Sequence, residues 1–180
     1  MKTAIRSALL TLIIALAPSA AFCDYGDYQY VENQKDILYN LEGVYVFVKT
    51  IKDRKSNWPF DIRIQDEVEH QIAEFGINVL SETDVTWAPG RPILKISVDT
   101  TEVPITGLDV HAFSVIVSLQ EAVVLERDMS KKAHAVTWQR WSSGVAQRPE
   151  LEMFVRQSIK TIVDTLIDEY LAGKQNHPFK

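Results

Sequence analysis

The chain has 180 residues, with 19 Lys and Arg against 24 Asp and Glu for a formal net charge of −5. An acidic chain without a basic block points away from nucleic acids and anionic membrane surfaces as principal partners. Its length suits one domain whose core needs neither metal nor disulfide to form.

The first residues read as a cleavable secretory signal. Lys2 and Arg6 supply the charged start, residues 8–17 an apolar run (ALLTLIIALA), and Pro18 with small residues the end. The run is shorter than the roughly 20 apolar residues a membrane-spanning helix takes, and no later stretch approaches that length. Ser19 and Ala21 fit the small residues of a cleavage site, so the mature chain is expected to start at Phe22. Removing residues 1–21 takes away two cations and no acids, leaving 17 basic against 24 acidic residues and a charge of −7. The expected compartment is the periplasm of a Gram-negative bacterium, or the exterior. The rival reading is lipidation at Cys23, which would attach the protein peripherally; Phe22 is large for the position before a lipidated cysteine. Cys23 is the sole cysteine, so no intramolecular disulfide is possible.

Residues 22–40 (FCDYGDYQYVENQKDILYN) are acidic and rich in tyrosine, without helical or strand period. They read as a tail or strap preceding one α+β domain over residues 41–173, with a C-terminal tail at 174–180. Residues 41–51 (LEGVYVFVKTI) are dense enough in Val, Tyr and Phe for a strand buried on both faces. Ile64, Val68, Ile72 and Phe75 then form one stripe of a helix over 60–75, closed by Gly76 in the left-handed region. A short strand follows at 77–80, and Pro89, Gly90 and Pro92 make 81–92 a loop.

Residues 93–103 alternate, with Leu94, Ile96 and Val98 on one side, predicting a half-buried antiparallel strand. After a turn at 104–107, residues 109–125 predict a long strand, or a strand with a bulge, with His111, Phe113, Val115, Val117 and Leu119 on one side. The charged stretch 126–132 reads as a hairpin loop and 133–142 as the last strand. Pro149 and Glu150 open a second helix of about 22 residues ending at Gly173. Its apolar face carries Leu151, Val155, Ile159, Ile162, Leu166 and Tyr170. The order β-α-β-β-β-β-α describes an α+β two-layer sandwich, a mixed four- to five-stranded sheet with two helices on one face.

The sequence around Gly76, Ile77, Val79 and Leu80, then Trp87, Gly90, Arg91, Pro92, Leu94 and Val98, resembles a group of small, secreted, functionally uncharacterised bacterial proteins. So do Val117, Leu119, Val124, Leu125, Arg127, Thr137 and Trp138, and later Val163, Asp164, Ile167, Tyr170 and Leu171. The resemblance spans residues 41–172. The layout is also similar to the N-terminal domain of the periplasmic translocation protein TolB and to lipoproteins of lipopolysaccharide assembly. These similarities imply a binding or assembly role in the envelope and no catalysis; this chain lacks the propeller that follows the domain in TolB.

Candidate chemistry is sparse. Glu67 and His70 share a helical face at a spacing that metal sites use, but no second such pair or cysteine accompanies them. Asp109 and His111 share a strand face without a Ser or Cys nucleophile tied to them. His134 is isolated and His177 lies in the C-terminal tail. No cofactor is called for.

The aromatic residues are the stronger lead, because Trp and Arg dominate binding hot spots. Trp138 and Arg140 project to one face of the last strand and Trp141 to the other. Trp87 and Arg91 lie on the Pro-Gly loop, and Trp58, Pro59 and Phe60 precede the first helix. Closing the ends of the core is the ordinary role for each tryptophan, and recognition is the alternative, most of all for Trp87 on its loop. The expectation is a non-catalytic envelope accessory binding a protein partner through a sheet edge or tryptophan-bearing loop. The alternative is a small ligand-binding protein or hydrolase with a pocket near Asp109 and His111.

Overall fold

The computed structural model describes residues 37–38, 40–52, 55–56, 58–105 and 108–176. The expected signal sequence and its expected cleavage point, Cys23, most of the tyrosine-rich segment and His177 lie outside the described residues.

The elements in chain order are β1 (Gly43–Lys52), β2 (Lys55–Ser56), α1 (Trp58–Glu74), β3 (Asn78–Val79) and α2 (Glu82–Val85). They continue with β4 (Ile93–Ile105), β5 (Leu108–Leu125), β6 (Asp128–Gln147) and α3 (Arg148–Asn176). The strands form one mixed sheet in the order β2-β1-β4-β5-β6, with β3 also pairing to β1. β1 runs parallel to β4, from Tyr45 opposite Ile93 to Lys52 opposite Thr100, and β4, β5 and β6 form an antiparallel meander. The α+β sandwich expected from the chain order is therefore present.

Strand parity sorts the two faces. Val44, Val46 and Val48 of β1, Leu94, Ile96 and Val98 of β4, and Phe113, Val115, Val117 and Leu119 of β5 share one core. The same core takes Ile64, Val68 and Ile72 from α1 and the whole predicted stripe from Leu151 to Tyr170 of α3. Both long helices thus cover one face, because each has a single apolar stripe and alternate strand positions present a single apolar surface to it. At the end of this layer Asp61, buried in the first turn of α1, accepts hydrogen bonds from the backbone N–H and the hydroxyl of Thr50. That interaction ties the start of α1 to β1 and satisfies the buried carboxylate.

Several expectations need correction. The core is on one face of β1 only: Phe47 is exposed on the other, away from the core that α1 and α3 share with Val44, Val46 and Val48. A run of Val and Tyr fits a half-covered strand as well as a central one. Phe75 is exposed, since the helix stops at Glu74 and Gly76 turns the chain at φ +78°. The short strand at 77–80 shrinks to Asn78–Val79, paired with Gly43 and Val44, and β4 is the main parallel partner of β1. The strand at 93–103 is consequently antiparallel on one side only.

The 81–92 loop contains α2, capped by Ser81, whose hydroxyl accepts from Asp84 N–H at 3.0 Å. Within the stretch read as a hairpin loop only Glu126 and Arg127 turn; β6 begins at Asp128 and runs 20 residues. β5 is one long strand over Leu108–Leu125; its ladder with β6 shifts between Leu119 and Gln120, where the unpaired residue, Thr137, lies on β6, and again between Val124 and Leu125. Finally α3 passes through Gly173 to Asn176 over 29 residues, since a glycine lowers helix propensity without stopping a helix whose packed face holds it.

Candidate functional site: the second sheet face and the edge of β6

Positions alternating with the core face upward on the second side of the sheet. On β5 and β6 this side carries Ile116 directly opposite Trp141, Ser114 opposite Ser143 and Ala112 opposite Val145. Trp141 is 42 % exposed and Val145 63 % exposed. Across β4 and β1 the same side continues through Ser97, Lys49, Lys95 and Phe47. An apolar strip of Ile116, Trp141 and Val145 therefore lies beside β6, with lysines toward β1.

β6 ends the strand order, so its outer edge has no strand partner among the described residues. The half of β6 near the hairpin carries Lys131 and Lys132 and lies beyond the bulge, features that discourage pairing there. The half from Gln139 to Gln147 has neither Lys nor Pro, and it is the half that bears Trp141 and Val145.

The predicted site residues separate. Trp138 is only 1 % exposed and belongs to the core; it offers no surface to a partner. Its indole N–H donates to Glu169 Oε2 at 2.6 Å, and Arg140 donates from Nη2 to Glu169 Oε1 at 2.8 Å. The Arg140 guanidinium also lies 5.4 Å from the Trp138 ring centre. Trp138 and Arg140 do share a face, as strand parity predicts, but that face is the helix side, where Glu169 of α3 joins them into one structural cluster. Glu169 carries no local sequence signal for this role, because its partners are 29 and 31 positions away.

Trp141 points the other way. Trp87 is 85 % exposed on the turn after α2. Arg91, also exposed, adopts φ 48° next to Gly90 at φ 72°, a tight turn that delivers the chain into β4. The Gly90 carbonyl accepts from Ala122 N–H, so this loop continues the β4 side of the sheet along β5.

His111 is 2 % exposed and its Nε2 lies 3.0 Å from Asp109 Oδ1. Its Nδ1 is buried without a hydrogen-bond partner. Asp109 also lies 3.7 Å from Arg148 Nη1. No hydroxyl or thiol is hydrogen-bonded to the imidazole among the described residues. Glu67 is engaged by Arg156 at 2.6 Å, and exposed His70 lies 3.4 Å from Glu74. No group of three or more His, Cys, Asp or Glu residues suited to hold a metal occurs among the described residues. No helix there is long and apolar enough to cross a membrane.

Tyr45 of β1, partly buried, titrates above its ordinary range. Burial disfavours the phenolate first, and the carboxylates of Glu82 and Glu69 add to the effect.

In comparisons with known proteins, neither a protein-family model nor a curated protein matches the sequence.

Proposed function

We propose that this protein is a non-catalytic binding or assembly accessory of the bacterial envelope, exported to the periplasm, that holds an extended segment of a protein partner along β6. The observation that carries this reading is the edge of β6, without a strand partner among the described residues, beside an exposed strip of Ile116, Trp141 and Val145. A strand added at such an edge gains main-chain hydrogen bonds, and its alternate side chains rest on the apolar strip, which supplies selectivity. The leader-like start of the sequence and the resemblance to envelope proteins support the compartment. Trp87 on its exposed turn is a second point of contact in this reading.

Site-specific photocrosslinking tests it. A benzophenone side chain placed at Gln139, Ser143 or Val145 in cells of the source type is expected to yield one discrete heterologous adduct. The same group at Lys160, on the outer side of α3, is expected to yield none. Equal adducts from both regions, or none from β6, would remove the edge as the binding surface.

A further inference from the structure

A cavity of about 200 Å³ lies between the starts of α1 and α3, the end of β1 and the middle of β4. Phe60, Val98, Leu151 and Val155 give it an apolar wall, and Thr100, Arg148 and Glu152 bring polar atoms to it. We propose that it binds a small monocarboxylate with a compact apolar body, the size of one aromatic ring or a short acyl chain. This site is separate from the β6 edge and does not depend on the function proposed for that edge.

Volume sets the size of the ligand. An apolar cavity of about 150 Å³ holds one benzene molecule, while drug-sized ligands take about 300–1,000 Å³. A space between those limits admits a ring with one small substituent and excludes nucleotides and oligosaccharides.

The polar groups set its charge. Thr100 is 8 % exposed and lines the cavity. Its hydroxyl can donate to a ligand oxygen placed there. Arg148 lines the same cavity, and the carboxylate nearest it, Asp109, stands at 3.7 Å, longer than a hydrogen bond. Its guanidinium can therefore donate to an incoming carboxylate.

The neighbouring acids do not call for a cation. Glu152 lies 3.2 Å from Arg63, and Asp61 is taken up by Thr50. A carboxylate between Thr100 and Arg148 would accept from both, with its apolar body filling the space against Val98, Leu151 and Val155.

Benzoate is the probe, titrated into the full chain and followed by the methyl resonances of Val98, Leu151 and Val155. Saturable shifts are expected with a Kd of about 1 mM or tighter, appropriate to so small a ligand. Benzyl alcohol, which keeps the ring and loses the charge, is expected to bind about tenfold more weakly, as is benzoate to Arg148→Gln. Arg148 is a half-exposed side chain at the rim, so this variant folds whether or not the cavity binds. Val155→Phe, which fills the cavity, is expected to abolish the shifts of Val98 and Leu151. Absence of methyl shifts at about 20 mM benzoate would overturn the site, that concentration being many times the expected Kd. Equal affinity for benzyl alcohol, or unchanged affinity in Arg148→Gln, would overturn the carboxylate assignment.

Discussion

At the scale of single residues, the contrast between Trp138 and Trp141 shows how little separates a structural side chain from an available one. They are three positions apart on the same strand, yet one is buried against α3 and the other half-exposed on the opposite face. Parity makes the difference readable from sequence, but parity alone does not say which face the helices cover. The deciding residue is Glu169, whose two oxygens answer the Trp138 indole and Arg140. Glu169→Ala leaves the buried indole N–H without its acceptor and is expected to lower stability by about 2–3 kcal/mol, since the lost bond goes to a charged group. Glu169→Gln keeps an acceptor oxygen and is expected to lose less than half as much. Urea unfolding measures both. A Glu169→Ala protein within about 0.5 kcal/mol of wild type would mean that Trp138 is held by packing alone.

Elements were legible where the pattern is long and one-sided. The α3 stripe from Leu151 to Tyr170 and the β5 row from His111 to Leu119 both lie on the buried side as their periods predict. Elements held by tertiary contact were not legible: β2 and β3 have two residues each, too few to show a period. The charges at Asp128, Lys131 and Lys132 conceal the start of β6, because an edge strand tolerates charge that a central strand would not.

β3 exists because Gly43 lets it approach. A Cβ at Gly43 would stand 2.7 Å from the carbonyl oxygen of Asn78, and that oxygen belongs to backbone with little room to yield. The pairing is reinforced by Asn78 Nδ2 donating to the Glu42 carbonyl at 2.8 Å and Leu80 N–H donating to the Val44 carbonyl at 2.8 Å. Gly43→Ala is therefore expected to displace β3 and cost about 1–3 kcal/mol, the range for overpacking a close contact. Amide exchange at Leu80 should accelerate with it. If exchange at Leu80 and the urea midpoint both stay at wild-type values, the close approach is not what seats β3.

For the whole molecule, placing α1 and α3 on the same side divides the sheet into a face that holds the core and a face that neither of these helices covers. The architecture was legible because each of those helices has one stripe, but which face of β1 they leave exposed was not. Val44, Tyr45, Val46, Phe47 and Val48 would look the same in a strand covered on both sides. The two faces should respond differently to substitution. Leu119, buried on the helix face, is expected to cost about 2–5 kcal/mol when changed to Ala, through lost burial and the space left behind. Trp141→Thr with Val145→Thr removes more atoms in total, but from exposed positions, and threonine suits a strand. The pair is expected to cost about 1–2 kcal/mol. If β6 holds a partner strand, the crosslink from Ser143 disappears in the double Thr variant and persists in Leu119→Ala at a temperature where that protein is folded. A double Thr variant that is less stable than Leu119→Ala would place Trp141 and Val145 among the side chains that support the fold. Retention of the crosslink in the double Thr variant would instead leave the main-chain edge as the sole source of binding, with no selectivity from the strip beside it.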